Sequence, residues 1–270
     1  MARVVAVVNQ KGGVGKTTTV INTLAYLALQ GKRVLMIDID PQANATSGMG
    51  INPKEVRGGI YGLITNQLVA LEAIMPTGHD NFEIIPSSID LAGGVIDLVN
   101  AQGREFRLAS AIEVIKNNYD YIFIDCPPSL NLLTVNSLVA ANEVLIPIQA
   151  EYYALEGLGQ LLNTIDLVKQ GLNPSLQVLG AVITMYTRNQ RLAREVWLEL
   201  YKNFPGKVFR STIPRNVKLA EAPGFQQNIF QYSASSKGAR AYEQLGKEIL
   251  ETEKSGTDSF NSILNQIHND

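Results

Sequence analysis

The chain has 270 residues, enough to bury a large core, and with 46% hydrophobic and 18% charged residues it reads as a soluble globular α/β protein of one main domain. A net charge of −2 excludes a surface coated in positive charge and leaves room for a local basic patch. No run of 18 apolar residues predicts a membrane span, and Met1-Ala2-Arg3 leads straight into a strand-like segment rather than a signal peptide. The single cysteine, Cys126, excludes an intrachain disulfide framework and points to a reducing, cytoplasmic setting. His79 and His268 stand far apart without cysteine neighbours, which argues against a metal-ligand cluster.

Along the chain, the β-branched run Val4-Val5-Ala6-Val7-Val8 predicts a buried parallel strand. A glycine loop follows, then helical apolar spacing from Thr17 to Gln30 with Gly31 as its C-terminal stop. KRVLMIDID (Lys32 to Asp40) predicts a second strand ending in two carboxylates, and FEIIPSS a third. Residues 104 to 117 read as a helix, and YDYIFIDCPPS as a strand halted by Pro127-Pro128. EVLIPIQ and LQVLGAVIT predict two more strands with a helix over about 154 to 170 between them. Residues 189 to 203 and 234 to 252 are the last strong helical patterns. Strands alternating with helices predict a mostly parallel twisted sheet with helices on both faces.

The chemistry concentrates in NQKGGVGKTTT, residues 9 to 19. A phosphate-binding loop usually opens on a glycine five residues before its Gly-Lys-Ser/Thr, and here that position is Gln10. Gly12, Gly13 and Gly15 would let backbone N–H groups close around phosphate oxygens, with the helix beginning near Lys16 aimed at them. Lys16 would then sit on the β- and γ-phosphates and Thr17 on Mg²⁺. The bland alternative is a glycine-rich turn, and the strand before it, the helix after it and Gly-Lys-Thr-Thr weigh against that. Asp38 and Asp40 share one strand face at the C-terminal end of the second strand, where ligands of open α/β sheets bind. Together they suggest metal and water handling. Asp125 ends the apolar run Ile122-Phe123-Ile124, the place of a Mg²⁺-side carboxylate, while Cys126 beside it reads as a small buried residue. Lys11 is extra. A triphosphate of about −4, met by Mg²⁺ and one lysine, still leaves roughly one negative charge. A short loop has little room for two converging lysines, so Lys11 is either a solvated loop residue or one that reaches a partner's nucleotide.

KGGVGKTTT resembles the deviant Walker A loop of the ParA/MinD family of P-loop ATPases. DIDPQANATSGMG, YDYIFIDCPPSL, AEYYALEGLGQLLNT and IPRNVKLAEAP resemble, in order, segments of its Soj-like ParA chromosome-partitioning branch. The resemblance runs from about residue 3 to 250, the extent of the expected ATPase domain; residues 251 to 270 form a tail without counterpart. Ala43 stands where relatives often carry glycine, a departure expected to matter little. The resemblance implies ATP and Mg²⁺, and a homodimer that sandwiches two nucleotides. It implies that Lys11 contacts the partner's nucleotide, that Gly12 stays small where two faces meet, and that Gly13, Val14, Gly15, Lys16 and Thr18 hold phosphate. Thr17, Asp40 and Asp125 would serve the metal, Asp40 also orienting the attacking water. Pro214 and Asn216 would contact adenine. The implied partners are a ParB-like protein that stimulates hydrolysis and DNA bound without sequence preference, at the nucleoid. With the first strand at residue 3, no helix-turn-helix domain precedes it, so sequence-specific binding is not expected.

Between Val182 and Lys218, eight basic residues face only Glu195 and Glu199, a net of +6. Arg188, Arg191, Arg215 and Lys218 are the candidate DNA contacts; an unpartnered solvated helix face is the alternative. A membrane-binding, MinD-like role would need a basic amphipathic tail. Phe260, Ile263, Leu264 and Ile267 have helical spacing, but no Lys or Arg follows Lys254, so stable membrane anchoring is not expected. A dethiobiotin-synthetase-like enzyme would need a small-molecule pocket that nothing advertises, and a nitrogenase-type iron protein needs two cysteines per chain. Chromosome, plasmid or another assembly as cargo stays open.

Overall fold

The computed structural model describes residues 1–151, 156–187 and 189–254. In chain order the strands are β1 (Arg3–Val7), β2 (Val34–Asp38), β3 (Met75–His79), β4 (Phe82–Ile85), β5 (Tyr121–Asp125), β6 (Glu143–Gln149), β7 (Gln177–Tyr186) and β8 (Val208–Pro214). Helices α1 (Lys16–Leu29), α2 (Asn44–Gly48), α3 (Gly59–Ile64), α4 (Ala70–Ala73), α5 (Leu91–Val99) and α6 (Arg107–Ile112) occupy the first half. The second half holds α7 (Leu132–Ala140), α8 (Glu156–Gly171), α9 (Arg191–Asn203), α10 (Val217–Glu221), α11 (Ile229–Ser233) and α12 (Lys237–Lys254). One eight-stranded sheet runs β3-β4-β2-β5-β1-β6-β7-β8, parallel throughout except for β3 against β4.

Alternation along the strands divides the core in two. Val4, Ala6, Leu35, Ile37, Ile122 and Ile124 face a layer that includes Leu108, Leu133, Leu161 and Val196 from α6 to α9. Val5, Val7, Val34, Met36, Tyr121 and Phe123 face Leu24, Leu27, Tyr242 and Leu245 of α1 and α12. Both faces are covered, which is why the strands read as continuous apolar runs. The same parity decides the chemistry: Asp38 and Asp125 continue the even and odd series that face α1, and the two are register partners across β2 and β5. They therefore meet the start of α1.

The expected strands and long helices are present, with trimmed ends. The single helix expected over 104 to 117 is instead a 3-10 turn (Arg104–Phe106), α6, and a second 3-10 turn (Lys116–Asn118). Two strands were not foreseen. β3 contains Pro76 and Gly78, tolerable because it is an antiparallel edge. β8, VFRSTIP, has a mixed pattern because it is the opposite edge. The Phe260-to-Ile267 tail lies outside the described residues, and α12 continues past 250 to Lys254.

β8 is fastened by α12. Buried Glu248 accepts hydrogen bonds from the Arg210 N–H (3.0 Å), the Ser211 N–H (2.7 Å) and the Ser211 hydroxyl. Glu248→Ala strands these donors and should cost about 2–4 kcal/mol, read as a lower urea midpoint, with Glu248→Gln intermediate. A midpoint unchanged in Glu248→Ala would show that β8 is held by packing alone.

Candidate functional site

The loop from Asn9 to Gly15 leaves β1 at the C-terminal edge of the sheet and enters α1. Gly13 and Gly15 have φ of 71° and 88°, left-handed values that glycine adopts without strain. Gly15 caps α1 with no side-chain bond, and the first turn carries no acid, so the helix presents free N–H groups and its positive end. Lys16 is 7% exposed, and its ammonium donates to the Lys11 carbonyl at 3.3 Å. Burial pulls its pKa below the ordinary lysine value, against the attraction of Asp125. Gly12, Gly13, Gly15, Lys16, Thr17 and Thr18 line one wall of a cleft of about 560 Å³; Asp40, Gln42 and Pro128 are on others. Buried cation, free N–H groups and flexible glycines are the requirements of a polyphosphate site.

The acid side is equally specific. The Thr17 hydroxyl donates to Asp125 Oδ2 at 2.7 Å, while Asp125 Oδ1 is buried with no hydrogen-bond partner. Burial and then the nearby Asp38 charge push the Asp125 pKa well up, against Thr17 and Lys16. A hydroxyl, a carboxylate oxygen lacking a donor and Asp40 on the cleft wall are hard oxygen donors that suit a hydrated Mg²⁺. The oxygens of Asp38 are already engaged. Its oxygens accept from Thr46 N–H (2.8 Å), Thr46 hydroxyl (2.7 Å) and Asp40 N–H (3.1 Å), away from the cleft wall. Its pKa is raised to about 6, chiefly by burial. Asp38 thus holds the turn that carries Asp40. Ser87 completes the brace by donating to the Asp40 carbonyl at 2.8 Å. The Asp40 carboxylate accepts from Gln42 N–H at 2.9 Å and faces the cleft.

Val14 is 1% exposed and absent from the cleft wall, so its side chain is core and only its backbone belongs to the loop. Pro214 and Asn216 line a second, adjoining cavity of about 180 Å³ that shares Gly15, Thr18 and Met185 with the first or its rim. Asn216 Oδ1 caps α10 by accepting from Lys218 N–H at 2.9 Å. Lys11 is turned elsewhere: its ammonium pairs with Glu151 at 2.9 Å, and Lys11 is not on the cleft wall. Glu151 also receives Gln149 (2.6 Å) and faces Arg215 (3.9 Å). Glu151 lay unmarked within AEYYALEG, of which residues 152–155 are outside the described residues. Gly12 has ordinary room: a Cβ there would meet only Pro128, at 4.0 Å.

Of the basic candidates, Arg188 lies outside the described residues. Arg191 opens α9 with its side chain 92% exposed and paired with Glu195. Lys218, on α10, pairs with Glu221 at 2.9 Å and lies over the Tyr232 ring. α9 follows the C-terminal end of β7, while Arg215 and α10 follow that of parallel β8, so all three residues stand at the nucleotide-cleft edge of the sheet.

Comparison with known proteins agrees with this geometry. The family described as AAA domain matches residues 2–178. The sporulation initiation inhibitor protein Soj of Bacillus subtilis (strain 168) is 49% identical over 249 residues, 92% of this chain and 98% of that one. The chromosome partitioning protein ParA of Myxococcus xanthus (strain DK1622) is 48% identical, covering 93% and 88%. Among solved structures, a Mycobacterium smegmatis protein named cobyrinic acid a,c-diamide synthase, with bound ADP and magnesium, superposes with a TM-score of 0.84 at 38% identity, covering 95% and 97%.

Asp125 gives a direct test of the metal fit. Without divalent cation, Asp125→Asn removes a buried, half-partnered charge and should unfold at or above the wild-type temperature. Each 1 kcal/mol gained is about 2–4 °C for a chain of this size. Mg²⁺ with a nucleoside triphosphate should then raise the wild-type midpoint and leave the variant nearly unmoved. A variant that gains as much as wild type would remove Asp125 from the metal site.

Proposed function

The chain belongs to the ParA/MinD family of P-loop ATPases and is similar over more than nine-tenths of its length to Soj-like chromosome-partitioning members, and from that premise we propose that it is a Mg²⁺-dependent, DNA-partitioning ATPase. Identities of 48% to a chromosome partitioning protein ParA and to a chromosome-partitioning ATPase Soj, against 38% to the protein named for a small-molecule synthesis, favour this reading. The observation that carries it is the loop's division of labour. Lys16 lies in its own cleft, whereas Lys11 is turned out of it beside a glycine that the isolated chain does not require. That arrangement supports an ATP-bound homodimer in which Lys11 reaches the partner's nucleotide.

In this account, Gly13, Gly15, Lys16 and Thr18 hold the phosphates, and Val14 contributes through its backbone. Thr17 and Asp125 would hold Mg²⁺, with Asp40 on the cleft wall beside them, and the ion would neutralise phosphate charge. Asp40, braced by Asp38 and Ser87, orients the attacking water. Pro214 and Asn216 take the adenine in the adjoining cavity. Arg191, Arg215 and Lys218 from two subunits, with Arg188, form the DNA surface, and their ion pairs with Glu195, Glu151 and Glu221 exchange for phosphate contacts. No helix among the described residues is long and apolar enough to cross a membrane. The chain acts in the cytoplasm on nucleoid DNA. A ParB-like partner accelerates hydrolysis and so releases the DNA.

A gel shift on random duplex DNA at several salt concentrations tests this reading. Wild type should bind only with ATP and weaken steeply with salt. Asp40→Ala should bind ATP and hold DNA while hydrolysing at least tenfold more slowly, and a double reversal of Arg191 and Lys218 to Glu should lose DNA yet keep ATP. Absence of ATP-dependent binding by wild type at low salt would contradict the proposal.

A further inference from the structure

The proposed phosphate loop is built of residues that barely constrain it, so something outside it must set its peptide directions. Asn9 does this at the start, donating to the Pro147 carbonyl at 2.7 Å and accepting from Lys11 N–H at 3.0 Å. At the other end stands Thr184, near the end of β7 and 170 residues away in sequence. It is 2% exposed, and its hydroxyl donates to the Val14 carbonyl at 2.7 Å. Thr184 is itself fixed: its carbonyl accepts from Ala150 N–H at 3.1 Å, and it is the register partner of Gln149 in β6. Met185, directly after it, has φ of 51° and lines both cavities. A left-handed non-glycine residue costs about 1–3 kcal/mol and persists where its surroundings over-determine it.

The Val14–Gly15 peptide is planar and trans, so its C=O and N–H point in opposite directions. Val14 is excluded from the cleft wall, while Gly15 and Lys16 form part of it. Tying the Val14 carbonyl back to β7 therefore turns the Gly15 N–H toward the phosphates. Gly15 could not enforce this itself, because glycine accepts φ of either sign and would permit the flipped peptide. We infer that Thr184 is a positioning residue for nucleotide binding: its hydroxyl selects the one orientation of the Val14–Gly15 peptide that donates to phosphate. The inference rests on the ATPase reading above.

The test compares Thr184→Ser, Thr184→Ala and Thr184→Val by equilibrium titration with MgATP and with MgADP, alongside thermal midpoints without nucleotide. Ser and Ala both lack the methyl group and differ chiefly in the hydroxyl; Val keeps the methyl and loses the hydroxyl. Thr184→Ser should bind within about threefold of wild type, and Thr184→Ala and Thr184→Val at least tenfold more weakly, for both nucleotides. A role confined to packing would weaken Ser and Ala alike and spare Val. Should Thr184→Val not fold, the Ser–Ala pair decides alone. Equal affinities for Ser and Ala overturn the inference while leaving the ATPase reading in place. Wild type that binds no MgATP overturns both.

Discussion

A lysine buried to 7% exposure, with its ammonium 3.3 Å from a backbone carbonyl, is the constraint around which this protein is arranged. Lys16 stands at the uncapped, positive end of α1, and across from it two carboxylates, Asp38 and Asp125, are driven together by strand parity. Burying charges of either sign is costly unless they are answered. Asp38 is answered internally by Thr46 and the Asp40 N–H, and one Asp125 oxygen by Thr17. What remains over is one cation with free N–H groups and one carboxylate oxygen without a donor. A polyphosphate with a divalent ion complements both remainders at once.

The fold is the means of bringing these remainders together. All the groups sit at the C-terminal edge of parallel strands, where loops from β1, β2, β5, β7 and β8 converge. Glu248 on α12 anchors β8, the strand that leads into Pro214, Arg215 and Asn216, so α12, which packs beside α1 and lends Tyr242 to the second cavity, contributes to its shape. Thr46 and Ser87 do the same for the Asp40 turn.

The loop, the two covered faces of the sheet and Asp125 were legible because each rests on local pattern: glycine spacing, apolar runs, a carboxylate at a strand tip. What was illegible depends on distant partners. β3 and β8 are edge strands, whose weak patterning hides them. Asp38 and Asp40 are alike in the sequence pattern, and only the fold brings Thr46 onto Asp38. Thr184 and Glu151 carry no local signal, since their partners Val14 and Lys11 lie 170 and 140 residues away. Ala43 was expected to matter little, yet its φ is 51°, where a glycine would avoid the strain. Lys11 stands out by the loop spacing and Gly12 by the family resemblance; the structure turns Lys11 away from the cleft that Gly12 lines, and leaves room for a Cβ at Gly12.

That separation makes pairing the centre of the account, and molecular mass by light scattering examines it most directly. Wild type should double its mass on addition of MgATP and return to the monomer with ADP. Gly12→Val, whose Cβ would meet only Pro128 at 4.0 Å in the single subunit, should bind ATP and remain monomeric. A wild-type chain that stays monomeric with saturating ATP, or a Gly12→Val chain that pairs as readily as wild type, would contradict it.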